Sequence, residues 1–73
     1  MLKIINKNIK INSHYYDYQL ENGTLLHRNL WNGENYYIKI DNKEFKYTPI
    51  YSQKENENGS FDIIGFIEKI YNC

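Results

Sequence analysis

Apolar and polar positions alternate along most of this chain. His14, Tyr16, Tyr18 and Leu20 fall on one face of an extended segment, with Tyr15, Asp17 and Gln19 on the other. Leu26, Arg28 and Leu30 oppose Leu25, His27 and Asn29 across the run Thr24 to Leu30. Tyr36, Ile38 and Ile40 oppose Tyr37 and Lys39 from Asn35 to Ile40. Phe45, Tyr47 and Tyr51 oppose Glu44, Lys46 and Thr48 from Lys43 to Tyr51, a run interrupted by Pro49. Proline donates no ladder hydrogen bond, so this segment is expected at an edge or a bend. Between the runs lie Asn22-Gly23, Asn32-Gly33 and Asp41-Asn42. Asn-Gly between apolar runs predicts a hairpin with a type I′ turn, which needs two residues at positive φ.

The ends of the chain are less regular. Leu2 to Ile5 and Asn8 to Ile11 read as a small hairpin or as one irregular strand. Ser52 to Ser60 lacks apolar residues and reads as a mobile loop or a long hairpin tip. In Phe61 to Tyr71, the positions Phe61, Ile64, Ile67 and Tyr71 suggest a helical stripe capped by Ser60. Gly65 and the weight of isoleucine and phenylalanine favour a strand instead, buried on both faces and part of the core. The expected fold is all-β or β-rich: a small antiparallel meander or curled sheet of about five strands, with a C-terminal helix as the alternative ending. Residues 1–73 form one domain.

Length sharpens this picture. A chain of 73 residues buries only about 60% of its unfolded surface, so its core is thin. Cys73 is the only cysteine, so no disulfide within the chain supports that core, and fraying is expected at its terminal position. One cysteine and the absence of a signal-peptide pattern in Met1 to Ile11 point to the cytoplasm. The apolar runs are too short to span a membrane as helices. Nine basic residues balance nine acidic ones. The balance argues against direct nucleic-acid binding, which needs a basic surface, and against a DNA mimic, which needs an acidic one. It also removes colloidal repulsion, so support from a homodimer or a partner protein is expected. Asparagine, isoleucine, lysine and tyrosine exceed half of the chain. All four have AT-rich codons, which points to a low-GC bacterium or its phages.

Catalytic chemistry finds no foothold. His14, His27 and Cys73 are too few and too far apart for a zinc site. No activated nucleophile or phosphate-cradling glycine loop is present, and Asp17, Glu21 and Glu34 read as solvated carboxylates near turns. The protein is therefore expected not to be an enzyme and to need no cofactor.

Binding is better supported. Aromatic residues make up 16% of the chain, eight of them tyrosine. With Tyr16, Tyr18, Tyr36 and Ile38 facing the core, Tyr15 and Tyr37 face outward, and Trp31 at a turn joins them in an apolar patch. The segment His27-Arg28-Asn29-Leu30-Trp31-Asn32-Gly33 concentrates typical interface anchors. Arg28 is the only arginine in a lysine-rich chain, and its planar fork suits a carboxylate or phosphate. A surface ion pair with Glu34 is its alternative role. The expected binding residues are Tyr15, His27, Arg28, Trp31, Asn32 and Tyr37.

The element Arg28-x-x-Trp31-Asn32-Gly33 and the tyrosines after it resemble a motif of phage anti-Thoeris sponge proteins, with Tyr47-Thr48-Pro49 extending the match. The resemblance implies a small β-rich oligomer that sequesters a cyclic ADP-ribose-type nucleotide. In that picture Arg28 pairs with phosphate and Trp31 or a tyrosine stacks on a base. In size and style the whole chain is similar to accessory anti-defence proteins of phages of low-GC bacteria, anti-CRISPR proteins among them. The leading expectation is a non-enzymatic inhibitor that covers a surface of a bacterial defence protein complex, such as a CRISPR effector. The cyclic-nucleotide sponge is the first alternative. A single-stranded nucleic-acid module of OB-like type is the second, with zero net charge weighing against it.

Overall fold

Each reversal of the chain contains at least one residue at positive φ. The computed structural model describes residues 1–72; the terminal Cys73, expected at a frayed end, lies outside them. The strands are β1 (Leu2–Ile11), β2 (His14–Leu20), β3 (Leu25–His27), β4 (Trp31–Asn32), β5 (Asn35–Ile40), β6 (Lys43–Glu55) and β7 (Phe61–Asn72). A 3-10 turn, Arg28–Leu30, stands between β3 and β4. The fold is all-β, with seven antiparallel strands rather than about five. The segment Phe61 to Tyr71 is strand, not helix, and the N-terminal segment is one irregular strand with a register shift between Ile4 and Asn6.

The turns depart from type I′ at both Asn-Gly pairs, because only the glycine of each pair has positive φ. At the first, the Gly23 amide donates to the Leu20 carbonyl at 2.8 Å and the Leu20 amide to the Thr24 carbonyl at 2.9 Å. That is a three-residue loop closed by glycine in the left-handed region, here at φ 89°. Asn22 serves it through its side chain, whose Oδ1 accepts the Thr24 amide at 3.1 Å. The same loop recurs at Asn56 to Ser60, with Gly59 at φ 84°. Of the polar segment expected as a loop or hairpin tip, residues 52–55 therefore finish β6 and residues 56–60 form the tip of a long hairpin. At the second Asn-Gly pair, Asn32 pairs with Asn35, so the turn residues are Gly33 and Glu34. Asp41-Asn42 turns as expected. The two consecutive positive φ values of a type I′ turn occur at Asn12 (48°) and Ser13 (69°).

The sheet order is β3-β2-β1-β7-β6-β5-β4. Its two edges, β3 and β4, are neighbours in the chain and joined only by the 3-10 turn. The sheet must therefore curl, and it nearly closes into a barrel. This turn replaces the second half of the strand expected from Thr24 to Leu30. It is set locally: the His27 Nδ1 accepts the Asn29 amide at 3.1 Å, and the Trp31 amide donates to the Arg28 carbonyl. The barrel interior holds Leu20, Leu26, Tyr36, Tyr47 and Phe66, with Leu2, Ile4, Tyr18, Leu30, Trp31, Ile38, Phe45 and Ile63 packed around them.

β7 is not buried on both faces as expected. Gly65 and Phe66 are buried, but Ile64, Ile67, Ile70 and Tyr71 are roughly half-exposed. A single curled sheet has one inner face, and among the described residues no second layer covers the outer side of β7.

Two junctions shape the ends of the barrel. β1 pairs with β7 only at Leu2–Phe66 and Lys3–Gly65, then peels away. β5 leaves β6 after Tyr36–Tyr47, while the β6–β7 ladder continues to Glu55–Phe61 as a projecting two-stranded arm. Pro49 sits just past the end of β5, at the edge its missing N–H predicts.

Gly65 makes the β1 junction. A Cβ there would lie 2.8 Å from the Leu2 carbonyl oxygen and closer still to the Met1 side chain. Met1 can swing aside, but the Leu2 backbone is held by the junction itself. Gly65→Ala should lower the unfolding free energy by about 1–3 kcal/mol, measured by urea denaturation. An unchanged midpoint would show that β1 slides without cost.

Candidate functional site

The peeling of β1 from β7 opens one end of the barrel. The resulting cleft of about 260 Å³ is lined by Lys7, Asn8, Asp17, Tyr18, Arg28, Trp31, Tyr36, Tyr51 and Ile63. Nearly every strand contributes, which is what a barrel mouth requires. Its floor is aromatic. The Trp31 ring lies 4.9 Å from that of Tyr36, its cross-strand partner. Tyr18, Tyr36 and Phe66 pack edge to face, with centroids 5.4 to 6.3 Å apart.

Asp17 reaches this mouth through a β-bulge. β2 advances two residues, Tyr16 to Tyr18, while β3 advances one, His27 to Leu26. The extra residue, Asp17, is turned out of the alternation that would have sent it to the outer face. Its carboxylate accepts a 2.8 Å hydrogen bond from the Tyr36 hydroxyl. The Arg28 guanidinium stands 3.8 Å from the same oxygen, and its side chain is 79% exposed. An ion pair that long and that open contributes little to stability. Arg28 is thus aimed at the mouth without being bound up in the fold. Its carboxylate neighbour is Asp17 on β2, not Glu34 across the turn.

Burial dominates the acid–base character of the interior tyrosines. Burial pushes Tyr36 well above the ordinary tyrosine range, and its hydrogen bond to anionic Asp17 adds to this. Tyr18 is raised by burial and by the charge of Asp17. At the other end of the barrel Tyr47 is pushed up to about 12, mainly by burial. There its donation to Glu68 at 2.8 Å raises it, and the Thr24 side chain pulls the other way.

The expected binding residues do not form one patch. Arg28 and Trp31 meet in the mouth. Asn32 and Tyr37 line a shallow groove on the outer side with Asn29, Leu30, Lys39 and Glu44. Trp31 cannot join Tyr37 there, because it shares the inner face with Tyr36 and adjacent strand residues point oppositely. Tyr15 stands alone, 65% exposed, with the Lys10 ammonium 5.2 Å from its ring centroid. His27 caps the 3-10 turn and meets the Tyr16 ring edge at 5.6 Å. Lys7, Asn8, Tyr51 and Ile63 belong to the mouth without any local signal in the sequence, because the topology alone brings them together. Among the described residues no group of three His, Cys, Asp or Glu side chains could hold a metal ion. No helix among them is long and apolar enough to cross a membrane.

Comparison with family models, with curated proteins and with solved structures finds no match for this chain.

The Asp17–Tyr36 bond leads to a stability prediction. Asp17→Ala leaves a buried hydroxyl without its acceptor and should cost about 1–3 kcal/mol in chemical denaturation; Asp17→Asn, which keeps an acceptor, should cost less. Equal losses in the two variants would mean the bond contributes nothing. A second prediction concerns pH. The folded state holds the Tyr36 and Tyr47 protons above the pH near 10 at which an unfolded tyrosine releases them. Stability is therefore full below pH 10 and falls as pH rises through 12, by up to about 1.4 kcal/mol per pH unit for each tyrosine. Urea midpoints at pH 9 and pH 11 check this, and equal midpoints contradict it.

Proposed function

We propose that this protein is a non-enzymatic binding protein of the phage-inhibitor kind, and that its barrel mouth receives an anionic side chain of a bacterial defence protein. The observation that carries the reading is Arg28: the chain's only arginine, exposed, loosely held by Asp17 and set beside the aromatic floor of Trp31, Tyr18 and Tyr36. Arginine next to tryptophan and tyrosine is the usual composition of a contact hot spot. Lys7 adds a second cation on the far rim. A partner's carboxylate entering here meets the guanidinium fork, while the apolar part of its side chain rests on aromatic rings.

The openness of the mouth favours a side chain over a free ligand. The cleft is open and its arginine is exposed, so one copy cannot enclose a cyclic nucleotide. A sponge for such a nucleotide remains the second reading, supported by the presence of Arg28 and Trp31 in the same mouth. It requires a second copy to complete the pocket.

The test is affinity purification of the tagged protein from a low-GC bacterial host, with mass spectrometry of bound proteins and extraction of bound nucleotides. A stoichiometric defence protein is expected with the natural chain. It should be lost with Arg28→Ala, a substitution expected to change stability by less than about 0.5 kcal/mol. Retention of the protein by the Arg28 variant would move the interface away from the mouth. A nucleotide without protein, lost in the same variant, would replace the inhibitor reading with the sponge.

A further inference from the structure

The outer face of β7 carries apolar surface that the barrel does not use. Ile63 packs on the core, Phe66 is fully buried, and Glu68 accepts a hydrogen bond from Tyr47, so these three point inward. The register shift opposite Ile50 and Tyr51 places an extra residue between Ile63 and Gly65. Around Gly65 the side chains left on the outside are, in order, Asp62, Ile64, Ile67 and Lys69, with Tyr71 following at the end of the strand. Ile64 is 47% exposed and Ile67 44% exposed. Between them lies Gly65, with the Met1 side chain beside it, itself largely exposed.

This outward pattern is acid, apolar, apolar, base. Reversed end for end, it complements itself. A two-fold axis near Gly65 would set Ile64 against Ile67 of a second copy, and Asp62 against Lys69 of that copy, twice over. Isologous contacts of a homodimer have this property. An independent observation points the same way. Lys69 stands directly across the ladder from Lys46, a like-charge pair that disfavours the sheet. Among the described residues, the one ion pair within 4 Å is Arg28–Asp17, so neither lysine is in direct contact with a carboxylate; Glu44 stands diagonal to Lys69 on the same face. Asp62 is bonded only to the Asn56 side-chain amide, at 3.2 Å.

We propose that the outer face of β7 is a self-association surface on which two copies of this chain pack with their β7 strands antiparallel. The occupant is a second copy rather than an unrelated protein, because the charge order along β7 matches its own reverse. The inference is independent of the role given to the mouth, which lies on the inner side.

Sedimentation equilibrium of the full chain tests it, from about 5 to about 500 µM, the range suited to a small contact. The natural chain should pass from monomer to dimer within that range. Asp62→Lys and Lys69→Asp should each weaken the dimer by about tenfold or more, and Ile67→Asp should abolish it. The double variant Asp62→Lys with Lys69→Asp should recover most of the natural affinity, because the pairs re-form with their signs exchanged. Circular dichroism should show all four folded, since every changed side chain is exposed. Arg28→Ala should leave the dimer unchanged. A chain that stays monomeric at the highest concentration overturns the proposal, as does a double variant no tighter than either single one. Mass that grows past the dimer with concentration overturns the two-fold arrangement.

Discussion

Closure of the sheet is the constraint on which the rest of this protein depends. A seven-stranded sheet whose edge strands are neighbours in the chain has to bring those edges together. Here the contact across the interior is made by Tyr36 of β5, which donates its hydroxyl to Asp17 of β2 and packs its ring against Tyr18, Phe66 and Trp31. With five buried hydrophobic side chains among the described residues, three of them fully buried, there is little other core. Large rings suit this position because each spans the barrel and still ends in a group that can be hydrogen-bonded.

The functional surface follows from the places where closure is incomplete. β1 leaves β7 after two residue pairs because β1 changes register at Ile4–Asn6 and carries Asn8 at positive φ. The gap leaves Tyr18 and Trp31 half-buried at its floor, above the buried rings of Tyr36 and Phe66. Across the seam the 3-10 turn is too short to hide Arg28, and the bulge brings Asp17 beside it. A cation, a carboxylate and an aromatic floor thus meet in one opening, brought there by the 3-10 turn, the bulge and the inner faces of the strands. The outer face has the opposite character. It lacks a covering layer, and the exposed isoleucines of β7 alternate with the same residues that fill the core.

Much of the strand pattern was legible in the sequence. The alternation of His14 to Leu20 and Asn35 to Ile40 assigned inner and outer faces correctly for Tyr18, Leu20, Tyr36 and Ile38. Period two reports local geometry, and that geometry holds wherever the ladder is regular. It failed where one residue was added. At Asp17 a bulge sent a polar side chain to the mouth that alternation assigned to the outer face. At Trp31 the turn moved by one residue, from Asn32-Gly33 to Gly33-Glu34, and the indole joined the inner face instead of Tyr37. Such one-residue shifts invert every face assignment that depends on them. The apolar weight of Phe61 to Tyr71 misled for another reason: composition shows how apolar a strand is, but not whether a second layer exists to bury it.

The sequence by itself determined what short-range sterics control: extended segments, the reversals at Gly23, Gly33 and Asp41-Asn42, and the edge placement of Pro49. These depend on φ, ψ and side-chain alternation over a few residues. Only the tertiary structure decided the strand order, the near-closure of the barrel, the early parting of β1 from β7 and the company Arg28 keeps. Lys7, Asp17, Tyr51 and Ile63 lie far apart in the chain. They share one opening because of pairings between distant strands, whose register is set by the packing of rings such as Tyr36 and Phe66 rather than by their sequence neighbours.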